Sequence, residues 1–260
     1  MFKSFDAIGF FIGKTDKFHL QDNLASSLEL LVIMPVYNEQ NAIGSVIDQW
    51  CAQIDTSGVN YAIMAIDDGS TDGTPAVLQS LQGKWGAKLE VVRKTNAGHG
   101  PAILTGYQLA VERRVPWIFQ IDSDGQCDPR YFSRLWEQRD GYDFITGRRT
   151  RRDDGFRRVL ISLVLRWVVY FISGFYCLDA NVPYRLMRTE VIGPLVEKIP
   201  PDCFFTNVGL SVLAIRAGLR YKYIPITFLA RQSGESTVPY RKLGNNALTL
   251  CRNIREVLKA

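Results

Sequence analysis

Ile118-Phe-Gln-Ile-Asp-Ser-Asp-Gly-Gln-Cys-Asp128 is where the chain passes from hydrophobic core to chemistry. The apolar run 117–121 reads as a buried strand, and it leads straight into Asp122, Asp124 and Gln126. On an extended backbone alternate side chains share a face. Asp122 and Asp124, with Gln126 if the extension persists past Gly125, then present three oxygens on one side of a strand end. Two close carboxylates repel each other unless a cation lies between them. Hard oxygen ligands suit Mg2+ or Mn2+, which keep some waters and bridge to a substrate phosphate. The plainer alternative is an acidic turn, since Asp128-Pro129 has the form of a helix N-cap followed by proline.

Upstream, the same strand-then-polar-loop pattern recurs. Residues 30–34 read as a buried strand ending at Pro35-Val-Tyr-Asn-Glu39, with a helix over about 41–53 that lines up Ile43, Val46, Ile47 and Trp50. Residues 61–66 form a second strand, closing on Asp67-Asp-Gly-Ser-Thr-Asp-Gly-Thr74 before a helix to about 81. A third strand, 88–92, precedes Asn96-Ala-Gly-His-Gly100, which opens a helix ending near 113; residues 142–146 make a fifth strand. Strands alternating with helices of about 10–15 residues predict an α/β fold with a mainly parallel sheet and right-handed crossovers. Ligands of such sheets sit outside the carboxyl ends of the strands. Pro35–Glu39, Asp67-Asp68, the Asn96 loop and Asp122–Gln126 all fall at that edge.

The 260 residues carry 47% hydrophobic and 22% charged side chains, an ordinary globular balance, and a net charge of +5 that favours an anionic partner. Six arginines crowd Gly147-Arg-Arg-Thr-Arg-Arg-Asp-Asp-Gly-Phe-Arg-Arg158. Five cysteines, odd in number and without a Cys-x-x-Cys pair, read as reduced packing residues and not as a disulfide frame or zinc site. The apolar stretch 7–13 is short, follows Asp6 and lacks a small-residue cleavage site, so no signal peptide is expected. No run of about 18 uninterrupted apolar residues predicts a transmembrane helix.

Downstream of 146 the character changes. Residues 159–178 are strongly apolar, with Arg158, Ser162, Arg166 and Tyr170 repeating every four positions on one helical stripe. Such a helix belongs to a core or to a membrane interface, and the arginines before it suit an anionic surface or a phosphate. A short segment with alternating features follows at 181–187, then a helix breaking near Pro200-Pro201, a helix over 204–217, a strand over 221–228 and the polar loop 231–236. A C-terminal amphipathic helix lines up Leu243, Ala247, Leu250, Ile254 and Val257. The expected organisation is an N-terminal extension (1–28), one catalytic domain (29–240) that includes an interfacial helix at about 157–178, and the C-terminal helix (241–260).

Seven motifs in order over residues 29–240 resemble the family 2 glycosyltransferases of the GT-A fold, in the branch of dolichyl-phosphate mannose synthase and polyprenyl-phosphate glycosyltransferases. They are Met34-Pro-Val-Tyr-Asn-Glu39, Ile66-Asp-Asp-Gly-Ser-Thr-Asp-Gly-Thr74, Asn96-Ala-Gly-His-Gly100, Asp122-Ser-Asp-Gly-Gln126, Thr146-Gly-Arg-Arg149, Tyr184-Arg-Leu-Met-Arg188 and Arg231-x-x-Gly-Glu-Ser236. The resemblance implies a Rossmann-like, mainly parallel sheet with flanking and peripheral amphipathic helices. It implies that Pro35, Tyr37, Glu39, Asp67 and Asp122 bind the nucleotide, and that Asp122, Asp124 and Gln126 hold Mg2+ or Mn2+ on the diphosphate. Asp124, Arg149 and Arg231 would carry catalysis, the arginines through planar donors matched to phosphate. Asp68, Ser70 and Asp72 rank lower, as builders of the turn, and His99 is read as loop structure.

The function so implied is metal-dependent, inverting transfer of a sugar from a UDP- or GDP-type donor to a polyprenyl phosphate. The chain would act peripherally at the cytoplasmic face of a membrane, and nucleic acid is not among the expected partners. Relatives that glycosylate sugar hydroxyls commonly place a carboxylate near residue 206; here the chain reads Phe205-Thr-Asn-Val-Gly209. A lipid phosphate is already ionised and needs no base, so this sequence favours it, with Asp179 and Asp202 as base candidates if the acceptor is a hydroxyl. That alternative, a saccharide or glycolipid acceptor, stays open. Thr237 stands where the family often has lysine, a phosphate contact left to Arg241 or Lys242. Many such transferases carry transmembrane helices after the catalytic domain, which leaves room for a membrane-protein partner. A nucleotidyltransferase would need a glycine-rich basic loop after the first strand, which Pro35–Glu39 is not, and a merely sugar-nucleotide-binding protein would not need the intact metal set.

Overall fold

Strands β1 (Leu30–Val36), β2 (Tyr61–Asp67) and β4 (Trp117–Ile121) are buried along their whole length, as strands covered by helices on both faces must be. The computed structural model describes residues 28–150, 167, 169–230 and 243–259. With β3 (Leu89–Arg93), β5 (Phe144–Arg149), β6 (Tyr184–Arg188) and β7 (Tyr221–Ile226), they build a seven-stranded sheet in the order β3-β2-β1-β4-β6-β5-β7. β1 pairs in parallel with β2 and β4, β2 with β3, and β5 with β7. The segment read as merely alternating at 181–187 is β6, wedged antiparallel between β4 and β5. The chain runs outward from β1 through β2 to β3 and then returns to β4 on the other side of β1. A topological switch point therefore lies between β1 and β4, the place where such sheets open a crevice.

Alternate residues of β1 feed two cores. Leu30, Val32 and Met34 join the cluster holding Trp50, Phe119, Phe132 and Tyr184. Leu31 and Ile33 join the one holding Met64, Tyr107, Ile118 and Leu210. Helices α1 (Ile43–Asp55), α2 (Thr74–Trp85) and α4 (Phe132–Glu137) supply the first layer. Helices α3 (His99–Glu112), α5 (Thr189–Val196) and α6 (Thr206–Arg216) supply the second. Helix α7 (Leu243–Lys259) lays Leu250 and Ile254 against Val208 and Val212 in a third cluster. In addition, Asn253 Oδ1 accepts from the N–H groups of Phe204 and Phe205.

The helix expected to reach residue 178 stops earlier. Its described part ends at residue 173, where Gly174 takes φ 73° and donates to the carbonyl of Tyr170 at 2.8 Å, a glycine stop of the usual left-handed kind. Val169 of this segment is buried in the third cluster while Tyr170 and Phe171 face outward. Of the four-residue stripe only Tyr170 is described; Arg158, Ser162 and Arg166, like Arg231 and residues 1–27, lie outside the described residues.

Gly100 shows how tightly the site edge is packed. A Cβ there would overlap the backbone carbonyls of Cys203 and Phe204, whereas a Cβ at Gly83 in α2 meets nothing within 4 Å. Gly100→Ala is expected to cost about 1–3 kcal/mol, because backbone and not a flexible side chain blocks it. Gly83→Ala is expected to stabilise by about 0.4–1 kcal/mol. Thermal unfolding of the two variants should move in opposite directions, and a neutral Gly100→Ala would contradict the close approach of α3 to residues 203–204.

Candidate functional site

The loops after β1 and β2 form one hydrogen-bonded platform. Asn38, in left-handed conformation at φ 55°, accepts from Thr71 N–H at 2.8 Å through Oδ1 and donates its own N–H to Ser70 Oγ at 3.0 Å. Glu39 N–H donates to Thr74 Oγ1 at 2.8 Å, Gln40 N–H to Asp72 Oδ2 at 3.3 Å, and Gly73 N–H to Gln40 Oε1 at 2.7 Å. Ser70 and Asp72 thus build the turn, as the sequence pattern anticipates. Pro35 is buried at the end of β1, Glu39 is nearly buried, and Tyr37 presents its ring to solvent beside them.

Asp67 and Asp68 divide the work. Asp68 grips the next loop, accepting from Lys94 Nζ at 2.5 Å, Ala97 N–H at 3.0 Å and Gly98 N–H at 2.7 Å. Asp67 accepts from Ser70 N–H at 2.9 Å through Oδ1. Its Oδ2 is buried, lies 3.4 Å from Arg93 Nε and has no hydrogen-bond donor. That oxygen, at the strand edge, is open to a donor from a ligand such as a ribose hydroxyl or a base N–H.

Because Asp68 draws the 94–98 loop over the end of β2, α3 begins next to β4. His99 Nε2 then lies 3.6 Å from Asp122 Oδ1, which corrects its reading as loop structure alone. Nothing in the glycine-rich local sequence signals this, since the placement comes from Asp68.

Beyond β4 the chain does not stay extended. Gly125 adopts φ 74°, and Gln126 N–H folds back to Asp124 Oδ1 at 3.0 Å. β4 ends at Ile121 and the chain bends over residues 123–125, so the strand alternation expected to put Asp122, Asp124 and Gln126 on one face stops short of all three. The helical turn after them is capped as the plainer alternative held, with Asp128 accepting from Arg130 N–H at 3.0 Å. Asp122 Oδ1 is shielded from water and has no hydrogen-bond partner. Burial, with the Asp124 charge adding to it, pushes the Asp122 carboxyl up to about 6, against the opposing pull of His99, Arg149 and Arg185. A shielded, unpartnered carboxylate oxygen beside a like charge fits a divalent cation. Among the described residues no group of three or more His, Cys, Asp or Glu forms a metal cage. A cation here would complete its shell with diphosphate oxygens and water, the usual habit of Mg2+.

Arg149, at the end of β5, donates Nε to Asp179 Oδ2 at 3.0 Å and Nη2 to Asp179 Oδ1 at 3.1 Å. Its guanidinium lies 5.1 Å from the ring centre of Phe228. Beneath the site, Tyr107 donates to Gln120 Oε1 at 2.5 Å, and the fully buried Arg185 donates to the carbonyls of Ala180, Val182 and Asn207. Gln120, polar between Phe119 and Ile121 in a buried strand, is the sequence signal for this layer.

The family model for glycosyl transferase family 2 matches residues 31–187. The chain is 30% identical over 217 residues to the polyprenol monophosphomannose synthase of Mycolicibacterium smegmatis, covering 79% of each. It is 29% identical to the undecaprenyl-phosphate 4-deoxy-4-formamido-L-arabinose transferase of Edwardsiella ictaluri, covering 82% of this chain and 64% of that one, so it spans less than two thirds of that relative. The glucosyl-3-phosphoglycerate synthase of Mycobacterium tuberculosis, crystallised with Mn2+, UDP-glucose and phosphoglyceric acid, superposes with a TM-score of 0.64 at 18% identity, over 96% of this chain and 86% of that one. The same protein with Mn2+, UDP and phosphoglyceric acid gives 0.63 at 18% identity, over 95% and 83%. The shared fold is the GT-A type, a Rossmann-like and mostly parallel sheet with flanking helices.

A carboxyl that holds its proton more tightly folded than unfolded costs stability above its ordinary value. For Asp122, a rise from 3.8 to about 6 corresponds to at most about 3 kcal/mol at neutral pH. In metal-free buffer at pH 7.5, Asp122→Asn should therefore melt above the unsubstituted protein, the gap closing as pH falls from 6 toward 4. Mn2+ with a nucleoside diphosphate should raise the melting temperature of the unsubstituted protein but not of Asp122→Asn or Asp124→Asn. An equal ligand-induced rise in all three would remove both aspartates from the binding site.

Proposed function

We propose, from the premise that this chain belongs to glycosyl transferase family 2, that it moves a sugar from a nucleotide-diphosphate donor to a polyprenyl phosphate at a membrane surface, inverting C1. The observation that carries the reading is the start of α6. Thr206 there is buried, its hydroxyl directed to the carbonyls of Gly100 and Cys203, and buried Asn207 stands 3.4 Å from Tyr107 Oη. Neither residue is an acid. Of the two base candidates, Asp179 is engaged by Arg149 and Asp202 is exposed. A hydroxyl acceptor calls for a carboxylate to take its proton. A phosphate monoester, with a second pKa of about 6, is already ionised.

In this reading Pro35, Tyr37, Glu39 and Asp67 bind the base and ribose of a UDP- or GDP-type donor. Asp122 and Asp124, with Gln126, hold Mg2+ or Mn2+, which when bound neutralises charge on the diphosphate leaving group. Arg149 adds donors to the charge that grows as the glycosidic bond breaks, and such preorganised donors act most strongly where charge develops. Arg231, outside the described residues, is assigned the same task, and Asp124, Arg149 and Arg231 form the catalytic set. The phosphate oxygen attacks C1 from the face opposite the departing diphosphate.

The docking surface we assign is aromatic. Trp167, Tyr170, Phe171 and Tyr176 form a contiguous exposed cluster with ring centres 5.7–6.4 Å apart, Phe171 being 77% exposed. Tryptophan and tyrosine rings favour the headgroup level of bilayers, and the arginines of 148–158 supply attraction to anionic lipid. Among the described residues no helix is long and apolar enough to cross a membrane, so attachment is peripheral in this reading. The five free cysteines support the cytoplasmic face.

The test is transfer from labelled UDP- and GDP-sugars to undecaprenyl or dolichyl phosphate in anionic vesicles. The expected product is an acid-labile lipid-phosphate sugar; a product formed only on a saccharide or glycolipid hydroxyl would replace the lipid-phosphate reading. Vesicle binding should weaken with salt without vanishing, because the apolar contact is not screened. Trp167→Glu with Phe171→Glu should abolish it while the protein stays folded, and undiminished flotation would exclude this surface.

A further inference from the structure

Asp179 has no place in the mechanism above, yet few groups in the structure are held so firmly. Both its neighbours are pinned from the protein interior. Leu178 N–H donates to Tyr223 Oη at 3.2 Å, and the carbonyl of Ala180 accepts from Arg185 Nη2 at 3.0 Å and Ser211 Oγ at 3.2 Å. The carboxylate between them meets Arg149 side-on, through Nε and Nη2. A guanidinium carries five N–H groups. Two go to Asp179, Phe228 covers one face, and among the described residues the other three N–H groups have no acceptor. A side-on clamp leaves the outer edge free, the edge that binds phosphate as a fork.

We infer that Asp179 is the positioning residue for Arg149, holding its guanidinium so that the outer edge faces the donor's diphosphate and stays off the carboxylates of Asp122 and Asp124. This rests on the reading that Arg149 meets the diphosphate. Without the clamp, the nearest anionic refuge for the arginine is the aspartate pair, whose oxygens the cation needs. Arg149 already lies close enough to Asp122 to oppose, after His99, the upward push of burial and Asp124 on its carboxyl. An acceptor base, by contrast, would need a carboxylate whose oxygens were not taken by a guanidinium.

The experiment is a double-mutant cycle read by calorimetry, with UDP, GDP, UMP and GMP titrated in Mn2+ into the unsubstituted chain, Asp179→Asn, Arg149→Ala and the double variant. Asp179→Asn should weaken diphosphate binding about 10- to 100-fold, the scale of misplacing a binding group by about an ångström. Monophosphate binding should change by less than about threefold, because the arginine serves the second phosphate. In the Arg149→Ala background the Asp179 substitution should add less than about twofold, the mark of a residue acting through its partner. Multiplying losses, equal losses for mono- and diphosphates, or diphosphate affinity unchanged in Asp179→Asn would each overturn the inference. Should Asp179→Asn not fold, Asp179→Glu keeps the charge but shifts it by a methylene, and it must show the same diphosphate-selective loss or the inference fails. If neither UDP nor GDP binds the unsubstituted chain, the donor reading fails and takes this inference with it. If the cycle holds but no sugar reaches a polyprenyl phosphate, the acceptor reading alone fails and Asp179 keeps its role.

Discussion

A guanidinium sealed from water organises the half of the site that sequence order does not. Arg185 is fully buried, and among the described residues it donates only to neutral acceptors, namely the carbonyls of Ala180, Val182 and Asn207 and the hydroxyl of Ser211. An ion in that position costs several kcal/mol unless its hydrogen bonds are complete. Five contacts for five N–H groups meet that condition, so the acceptors are not free to drift. The turn before β6, the first turn of α6 and the strand pair β4–β6 are thereby fixed to one another. Arg185 lies in register with Gln120, two residues before Asp122. A positive charge thus stands behind Asp122, whose carboxyl burial pushes upward.

The loops at the carboxyl ends of the strands were legible because their geometry is local. Each of these loops follows its own strand, so a continuous apolar run ending in Pro35–Glu39, Asp67-Asp68 or Asp122-Asp124 announces both the strand and the sheet edge at which its loop lies. The turn-building role of Ser70 and Asp72 was likewise readable from turn chemistry. What was hidden depends on contacts distant in sequence. β6 pairs antiparallel with β4, from which β5 separates it in the chain, Arg149 and Asp179 are 30 residues apart, and Asn253 reaches back to Phe204. No periodicity encodes such contacts. His99 belongs to the same class, since Asp68 and not the local sequence brings it to Asp122.

The early end of the helix before β6 is a different kind of miss. The signal, Ser173-Gly174, was present in the sequence, but the apolar run around it argued for continuation. The physical outcome is that hydrophobicity did not require a helix. Cys177 and Ala180 are buried in the third cluster from an irregular segment, held by Tyr223 and by the carbonyls that Arg185 gathers. Ending the helix at 173 frees Asp179 from helical geometry and lets its carboxylate reach the end of β5.

Three buried polar atoms without hydrogen-bond partners, Asp67 Oδ2, Asp122 Oδ1 and Gln120 Nε2, lie at the ends of β2 and β4, on either side of β1. Leaving such an atom unsatisfied costs about 1–3 kcal/mol, and a packed α/β sheet has no structural need for any of them. Replacing Asp67 or Asp122 by an apolar residue would relieve the penalty. The architecture instead keeps two carboxylate oxygens buried and without hydrogen bonds, each with a more distant cationic or imidazole neighbour, Arg93 or His99. In the proposed reading a nucleotide would bring hydroxyl or N–H donors to Asp67, and a cation positive charge to Asp122. The same atoms that cost the fold stability are those through which, in that reading, a bound donor would stabilise it, so binding and folding free energies would meet at this edge.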